Sequence, residues 1–218
     1  MLTVVIPVLN AAERLGACLD SVRDADEIVV VDGGSTDDTV RIATEKGARI
    51  FQSDRGRGVQ LHGGALAATG DWLLFLHGDT ILQPGWRAAA DLHMNIAPQQ
   101  AACFKFRLDA PQWPARLIEA GVALRVRLLK LPYGDQGLLM SRRHYDEIGG
   151  YRPLPLMEDV EMVRRIGGAR LRCLPIPALT SAERWRKFGW LGRSARNLSC
   201  LLLYRLGVPP ARIASFYA

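Results

Sequence analysis

The sequence predicts an α/β fold in which a mostly parallel central sheet carries helices on both faces. Three observations predict it. Short continuous apolar runs alternate with amphipathic stretches through the first half of the chain, the pattern of strands buried on both faces. Polar residues collect just after each run, where such sheets bind ligands. The length, 218 residues, suffices for one large domain with a full core.

"LTVVIPV" is the first expected strand. Asn10 is expected to open a helix, with Glu13 completing a capping box and Leu15, Leu19 and Val22 forming the apolar face. "EIVVVD" is the second strand, ending at Asp32; the loop "GGSTDD" leads into a helix that stops at Gly47. "RIFQS" is the third strand, "GVQLHGGALAATG" a short helix closed by Gly70, and "DWLLFLHGD" the fourth strand. Pro84 marks the start of the helix that "GWRAAADLHM" continues. Further on, "AACFKFRLD", "QGLLMS" and "ARLRCLPI" read as strands. "WPARLIEAGVALRVRLLK", "LMEDVEMVRRIGG" and the C-terminal "WRKFGWLGRSARNLSCLLLYRLG" read as helices.

Composition narrows the class. Apolar residues are 49% and charged residues 23% of the chain, ordinary for a globular protein. No stretch approaches the roughly 18 apolar residues that span a bilayer. The N-terminus has no basic lead and carries Pro7, so it is read as a buried strand rather than a signal peptide. Cys18, Cys103, Cys173 and Cys200 match no metal or redox spacing. They suit a reducing compartment as small apolar residues.

The charge of +6 is uneven: residues 184–218 hold seven basic side chains and no acidic one. The remainder is near neutral, which points to one local basic surface. A nucleic-acid partner is not expected, because aromatics are not interleaved with the cations as base stacking requires. Trp185, Trp190 and the run Leu201, Leu202 and Leu203 lie among those cations. That is the composition of an interfacial helix on anionic lipid; a core-packing helix with solvated arginines would read the same.

Four stretches carry chemistry. "DGGSTDDT" offers Asp32 at a strand end, two glycines and helix N-terminal amides, suited to a ribose or base; an ordinary helix cap accounts for it equally. "SDRGRGVQ" places Arg55 and Arg57 between glycines, suited to a diphosphate or to a solvated turn. "LHGDT" ends a strand on His77 and Asp79, two residues apart and therefore on one strand face. The metal reading gives Asp79 the essential carboxylate, with His77 ligating directly or holding a water or phosphate oxygen; a polar strand end is the alternative. "LMEDVEMVRR" puts Glu158 and Asp159 at a helix start, where one serves as general base or both as dipole-favoured caps. "YGDQG" adds Asp135, and "SAERW" adds Arg184 and Trp185.

The order of these pieces resembles a family 2 glycosyltransferase over nearly the whole chain. The matching segments are "VVIPVLN", "ADEIVVVDGGSTDDT", "RGRGVQLHGGALAATGDWLLFLHGDT", "GDQG", "PLMEDVEMVRR" and "ERW". The chain looks most like a short bacterial subgroup that ends in a basic, Leu-rich helix such as "LLLYRLGVPP". The resemblance implies the GT-A nucleotide-diphospho-sugar transferase fold, a nucleoside-diphosphate sugar donor, Mn²⁺ or Mg²⁺, and inverting transfer to an acceptor hydroxyl.

Position by position, it implies that Pro7, Val8 and Asn10 line the nucleotide pocket, with Asp32 on the base or ribose. Gly34, Arg57, Gly58 and Asp135 join that donor-binding set. Asp79 becomes the metal carboxylate beside His77, and Asp159 the base, with Glu158 next to it. Arg184 and Trp185 stand where processive members carry Gln-x-x-Arg-Trp; Ser181 replaces the Gln, which argues against processivity. The usual Asp-Asp-Gly-Ser is here Asp32-Gly33-Gly34-Ser35, which leaves the identity of the base open.

One domain is expected over 1–218: a nucleotide-binding half (1–98), an acceptor and catalytic half (99–183) and the basic amphipathic segment (184–218). A lipid-linked acceptor would fit that segment, and the expected location is the cytoplasm, peripheral on the inner face of the membrane. Two other readings stand beside this one. A sugar nucleotidyltransferase would want a Gly-rich N-terminal loop with Lys or Arg, which "IPVLNAAERLG" lacks. A noncatalytic nucleotide-sugar or anionic-lipid binding module of the same fold would not need both Asp79 and Asp159.

Overall fold

A computed structural model describes residues 1–217, without the side chains of Arg184, Phe188 and Tyr217. The strands are β1 (Leu2–Val8), β2 (Glu27–Asp32), β3 (Arg49–Gln52), β4 (Trp72–Phe75), β5 (Thr80–Leu82), β6 (Ala101–Leu108), β7 (Leu138–Ser141) and β8 (Leu171–Thr180). They form one sheet in the order β3-β2-β1-β4-β7-β6-β8-β5. Pairing is parallel from β3 through β4 and between β6 and β8. It is antiparallel where β7 enters between β4 and β6, and at β5 on the edge. The sheet is therefore mixed in its second half and parallel in its first.

The two faces explain the continuous apolar runs. In β1, Leu2, Val4, Ile6 and Val8 point to one core, with Leu15, Cys18 and Leu19 of α1 (Ala12–Ser21). Val5 points to the other, with Val29, Val31, Leu61 and Ala65, the last two on α3 (Arg57–Ala67). β4 divides likewise, Leu74 to the first core and Leu73 with Phe75 to the second. Each such side chain contributes about 1.5–3 kcal/mol by leaving water. Neither face can be polar, so neither strand alternates. Past the end of α3, Arg142 donates to the carbonyls of Ala65, Ala68 and Gly70 at 2.8–2.9 Å, satisfying acceptors that a helix end leaves open.

The remaining helices are α2 (Thr39–Glu45), α4 (Trp86–Ile96), α5 (Trp113–Leu129), α6 (Arg142–Glu147), α7 (Glu158–Ile166), α8 (Glu183–Phe188), α9 (Trp190–Arg205) and α10 (Pro210–Tyr217). Among the described residues, no helix is long and apolar enough to cross a membrane.

Three expectations are corrected. Asn10 does not open α1: its φ is +50° and the helix begins at Ala12 behind Ala11. Its side chain instead accepts from the Thr36 N–H at 2.9 Å, while its own N–H donates to Ser35 Oγ at 2.9 Å. The fourth strand ends at Phe75, so His77 and Asp79 lie in a turn rather than on one strand face. The Thr80 N–H closes that turn on the His77 carbonyl at 3.0 Å and redirects the chain into β5. The single C-terminal helix is two, broken at Gly189 with φ +77°, and α10 follows.

Candidate functional site

The loops after β1, β2 and β4 open at one edge of the sheet, together with the start of α3. The β1 and β2 loops are tied to each other. Asp32, 2% exposed, accepts from the backbone N–H groups of Gly34 and Ser35 at 3.1–3.2 Å. Gly34 has φ +92°, where a side chain is strained. Beneath them Gln60, from α3, donates to the carbonyls of Val8 and Val31 at 2.8 and 2.9 Å. Pro7, Val8, Asn10, Asp32 and Gly34 therefore form one hydrogen-bonded platform around the ends of β1 and β2. Gly58 has a different role. A Cβ there would stand 2.2 Å from the Arg152 carbonyl oxygen, so its smallness lets α3 pack on the chain before α7.

A pocket of about 130 Å³ is walled by the loop after β4 and the starts of α3 and α7. Its walls bring together Arg57, His77, Asp79, Asp135, Glu158, Asp159 and Trp185, which were separate loop positions in the sequence. Of the other candidate residues, Pro7, Val8, Asn10, Asp32, Gly34 and Gly58 are not in its wall. The Arg184 side chain lies outside the described residues.

Local structure positions each group. Asp159, in the first turn of α7, accepts at Oδ2 from the Gly134 N–H at 2.8 Å and at Oδ1 from the Val160 N–H at 2.7 Å. Gly134 is also where the His77 ring presses: a Cβ there would be 2.4 Å from His77 Nε2. Histidine, glycine and Asp159 thus form one packed contact. Met157 precedes α7 in a left-handed conformation, φ +66°, uncommon for a side chain of its size. Glu158 does not cap the helix. It is 1% exposed and pairs with Arg57 at 3.0 Å. Burial pushes its carboxyl up, and Arg57 opposes that shift.

Asp135 stands apart from the other carboxylates. Its Oδ1 is sealed from solvent without a hydrogen-bond partner among the described residues. Burial pushes its carboxyl up to about 7; Arg125 opposes this, and the negative charges of Asp159 and Asp79 add to it. Trp185 is 9% exposed, lies against Phe106 with ring centroids 6.4 Å apart, and leaves its buried Nε1 unpartnered among the described residues. An acceptor and a donor without partners in one pocket wall are unusual in a folded protein, where buried polar atoms are nearly always paired.

The same observations test the fit of a divalent cation. Among the described residues, no group of three or more His, Cys, Asp or Glu side chains could hold one alone. Asp79 and His77 share one pocket wall, and a cation there would need its remaining ligands from a diphosphate and water, the usual arrangement for Mg²⁺.

Sequence reasoning missed part of the wall. Tyr133, Arg193, Asn197 and Cys200 also line the pocket, and the Arg125 guanidinium lies 3.5 Å over the Tyr133 ring. Arg193, Asn197 and Cys200 are spaced i, i+4, i+7 on α9, one helical face. That periodicity is readable in the sequence, but the segment's seven cations mark only a solvated face.

The model of the family described as Glycosyl transferase family 2 matches residues 3–106. A stretch of 93 residues is 44% identical to a PGL/p-HBAD biosynthesis glycosyltransferase of Mycobacterium tuberculosis, covering 38% of this chain and 36% of the relative. The chain thus spans about a third of the length of the curated relatives it matches. Among solved structures, glucosyl-3-phosphoglycerate synthase from Mycobacterium tuberculosis, in complex with Mn²⁺, uridine diphosphate and glucosyl-3-phosphoglycerate, superposes with a TM-score of 0.66 at 22% identity. That match covers 96% of this chain and 81% of the other. TarS from S. aureus gives a TM-score of 0.65 at 17% identity, covering 83% and 60%. The architecture is the GT-A fold.

Proposed function

We propose, from the premise that residues 3–106 are a family 2 glycosyltransferase domain, that the protein moves a sugar from a nucleoside diphosphate to an acceptor hydroxyl with inversion. The observation that carries this reading is the meeting of Asp79, Asp135 and Asp159 with Arg57 and Trp185 in one pocket. A noncatalytic binding module would need no such concentration of carboxylates beside an anionic ligand.

The residues divide the work. The platform of Val8, Asn10 and Asp32 to Thr36 lies where the nucleoside would rest. Asp79, with His77, would hold Mn²⁺ or Mg²⁺ together with the diphosphate. When bound, such an ion neutralises the charge that develops on the leaving diphosphate. Arg57 adds positive charge on the same side. Asp159 takes the proton of the acceptor hydroxyl as its oxygen attacks. Its two backbone hydrogen bonds fix the carboxylate's direction and leave further lone pairs to accept that proton. Asp135 and Trp185, in the pocket wall, orient the sugar. The uridine diphosphate and Mn²⁺ in the solved relative's complex support this reading of donor and metal.

A second surface bears on the acceptor. Of the basic tail's apolar residues, Leu201 is buried and Trp185 lines the pocket, so those residues do not face lipid. Leu191, Leu198, Leu202 and Leu206 of the tail are exposed instead, as are Trp113, Leu117, Leu124 and Leu128 of α5, which packs on α9. Apolar stripes among cations suit an anionic membrane surface and a lipid-linked acceptor.

Donor hydrolysis and transfer, followed in the parent, Asp159→Asn and Glu158→Gln, test the assignment. Asp159→Asn abolishes transfer while donor affinity stays within about threefold, since shape is kept and proton acceptance is lost. Normal turnover in Asp159→Asn would reject Asp159 as the base.

A further inference from the structure

Cys103 and Cys173, seventy residues apart, are direct partners across the parallel pair β6 and β8. Paired positions on neighbouring strands share a face, and strands lie about 4.8 Å apart, inside the roughly 4.4–6.8 Å Cα separation that a disulfide spans. The ladder slips immediately beyond the pair, where Lys105 lies opposite Pro177; such an irregularity lets the strands shift locally. Both cysteines line a cavity of about 770 Å³ between α5 and the sheet, with Lys105 and Lys130 in its wall. Gln136 lines it too, and its Oε1 is sealed without a donor among the described residues.

The two thiols are unequal. Cys173 is exposed and Cys103 buried. The neighbouring Cys103 thiol holds the Cys173 thiol below the ordinary range, aided by Lys105 and Lys130 and opposed by burial, while Cys173 and burial raise that of Cys103. Cys18 and Cys200 are buried, and desolvation pushes both thiols up. One cysteine of four is thus a ready nucleophile, and its cross-strand neighbour is placed to resolve it.

We propose that Cys103 and Cys173 are a thiol–disulfide site that reacts with a small-molecule disulfide admitted to this cavity. The Cys173 thiolate attacks one sulfur of R–S–S–R, forming Cys173–S–S–R and releasing RS⁻. Cys103 gives up its proton and attacks the Cys173 sulfur; the second RS⁻ leaves and takes that proton. Two thiols are oxidised and one disulfide is reduced to two RSH. In a reducing compartment the pair rests as the dithiol.

The native protein is incubated with glutathione disulfide, quenched in acid and examined by intact mass and non-reducing peptide mapping. The expected product has lost two hydrogens, carries a peptide joining Cys103 to Cys173, and reverts with dithiothreitol. Cys103→Ser accumulates glutathione at Cys173. Cys18 and Cys200 are modified more than about tenfold more slowly than Cys173. A parent protein that stops at the mixed disulfide, or a Cys173→Ser variant modified as fast as the parent, would overturn the proposal. The parent's peptide map decides even if a variant fails to fold.

Discussion

Arg57, the first residue of α3, donates to the Glu158 carboxylate at the start of α7 across 3.0 Å. Glu158 is 2% exposed at its side chain while Arg57 is 38% exposed. The pair therefore joins the basic loop after β3 to the acidic helix start, and it sets one wall of the pocket.

Breaking that pair from its two ends has unequal cost. Arg57→Ala leaves a buried carboxylate without its cation, whereas Glu158→Gln leaves a half-exposed arginine that water reaches. Urea denaturation at neutral pH is expected to show a loss of about 2–4 kcal/mol for Arg57→Ala and about half that for Glu158→Gln. Equal losses would mean that Glu158 does not depend on Arg57 for its charge.

Asp135 carries a pH signature. Its carboxyl is raised to about 7 in the fold, so the fold prefers the protonated form. The stabilising preference is fully present below the unfolded value near 4 and is lost as pH rises through about 7. Asp135→Asn removes the ionisation. In chelator without nucleotide, its free energy of unfolding is expected to match the parent's near pH 4 and to exceed it near pH 8, by a few kcal/mol at most. A gap independent of pH would show that the buried carboxylate is already neutralised.

Much of the fold was legible in the sequence, and what was not has physical causes. β1, β2 and β4 were readable because both their faces are buried, which leaves an unbroken apolar run. β5 is three residues behind a Gly-Asp turn, too short to register, and its partner β8 lies a hundred residues away. Asn10 looked like a helix start, but its side chain was needed to hold the loop at Ser35 and Thr36. The carboxylates of the pocket were found one by one through their loops. The wall from α9 was not, since nothing local announces that a basic helix turns Arg193 inward, where it is 6% exposed. The Cys103–Cys173 pairing depends on β6 and β8 being neighbours, which only the sheet order reveals.

The exposed leucines of α5 and α9 make the membrane proposal measurable. The protein is expected to co-sediment with anionic vesicles at low salt and not with neutral ones, and salt is expected to weaken that binding. Leu198→Glu with Leu202→Glu, both at exposed positions, should cut the bound fraction severalfold without lowering stability. Equal sedimentation with both vesicle types would remove the lipid surface from the account.

On the proposed function, Asp79 lets this pocket bind a nucleoside diphosphate together with a divalent cation. Calorimetric titration of the protein with uridine and guanosine diphosphates, in Mn²⁺ and in chelator, tests it most directly. The expected result is binding of one nucleotide at least about tenfold tighter with Mn²⁺, a difference of about 1.4 kcal/mol, with the gain erased in Asp79→Ala and reduced in His77→Ala. Equal affinity in chelator, or an undiminished Mn²⁺ gain in Asp79→Ala, would contradict it.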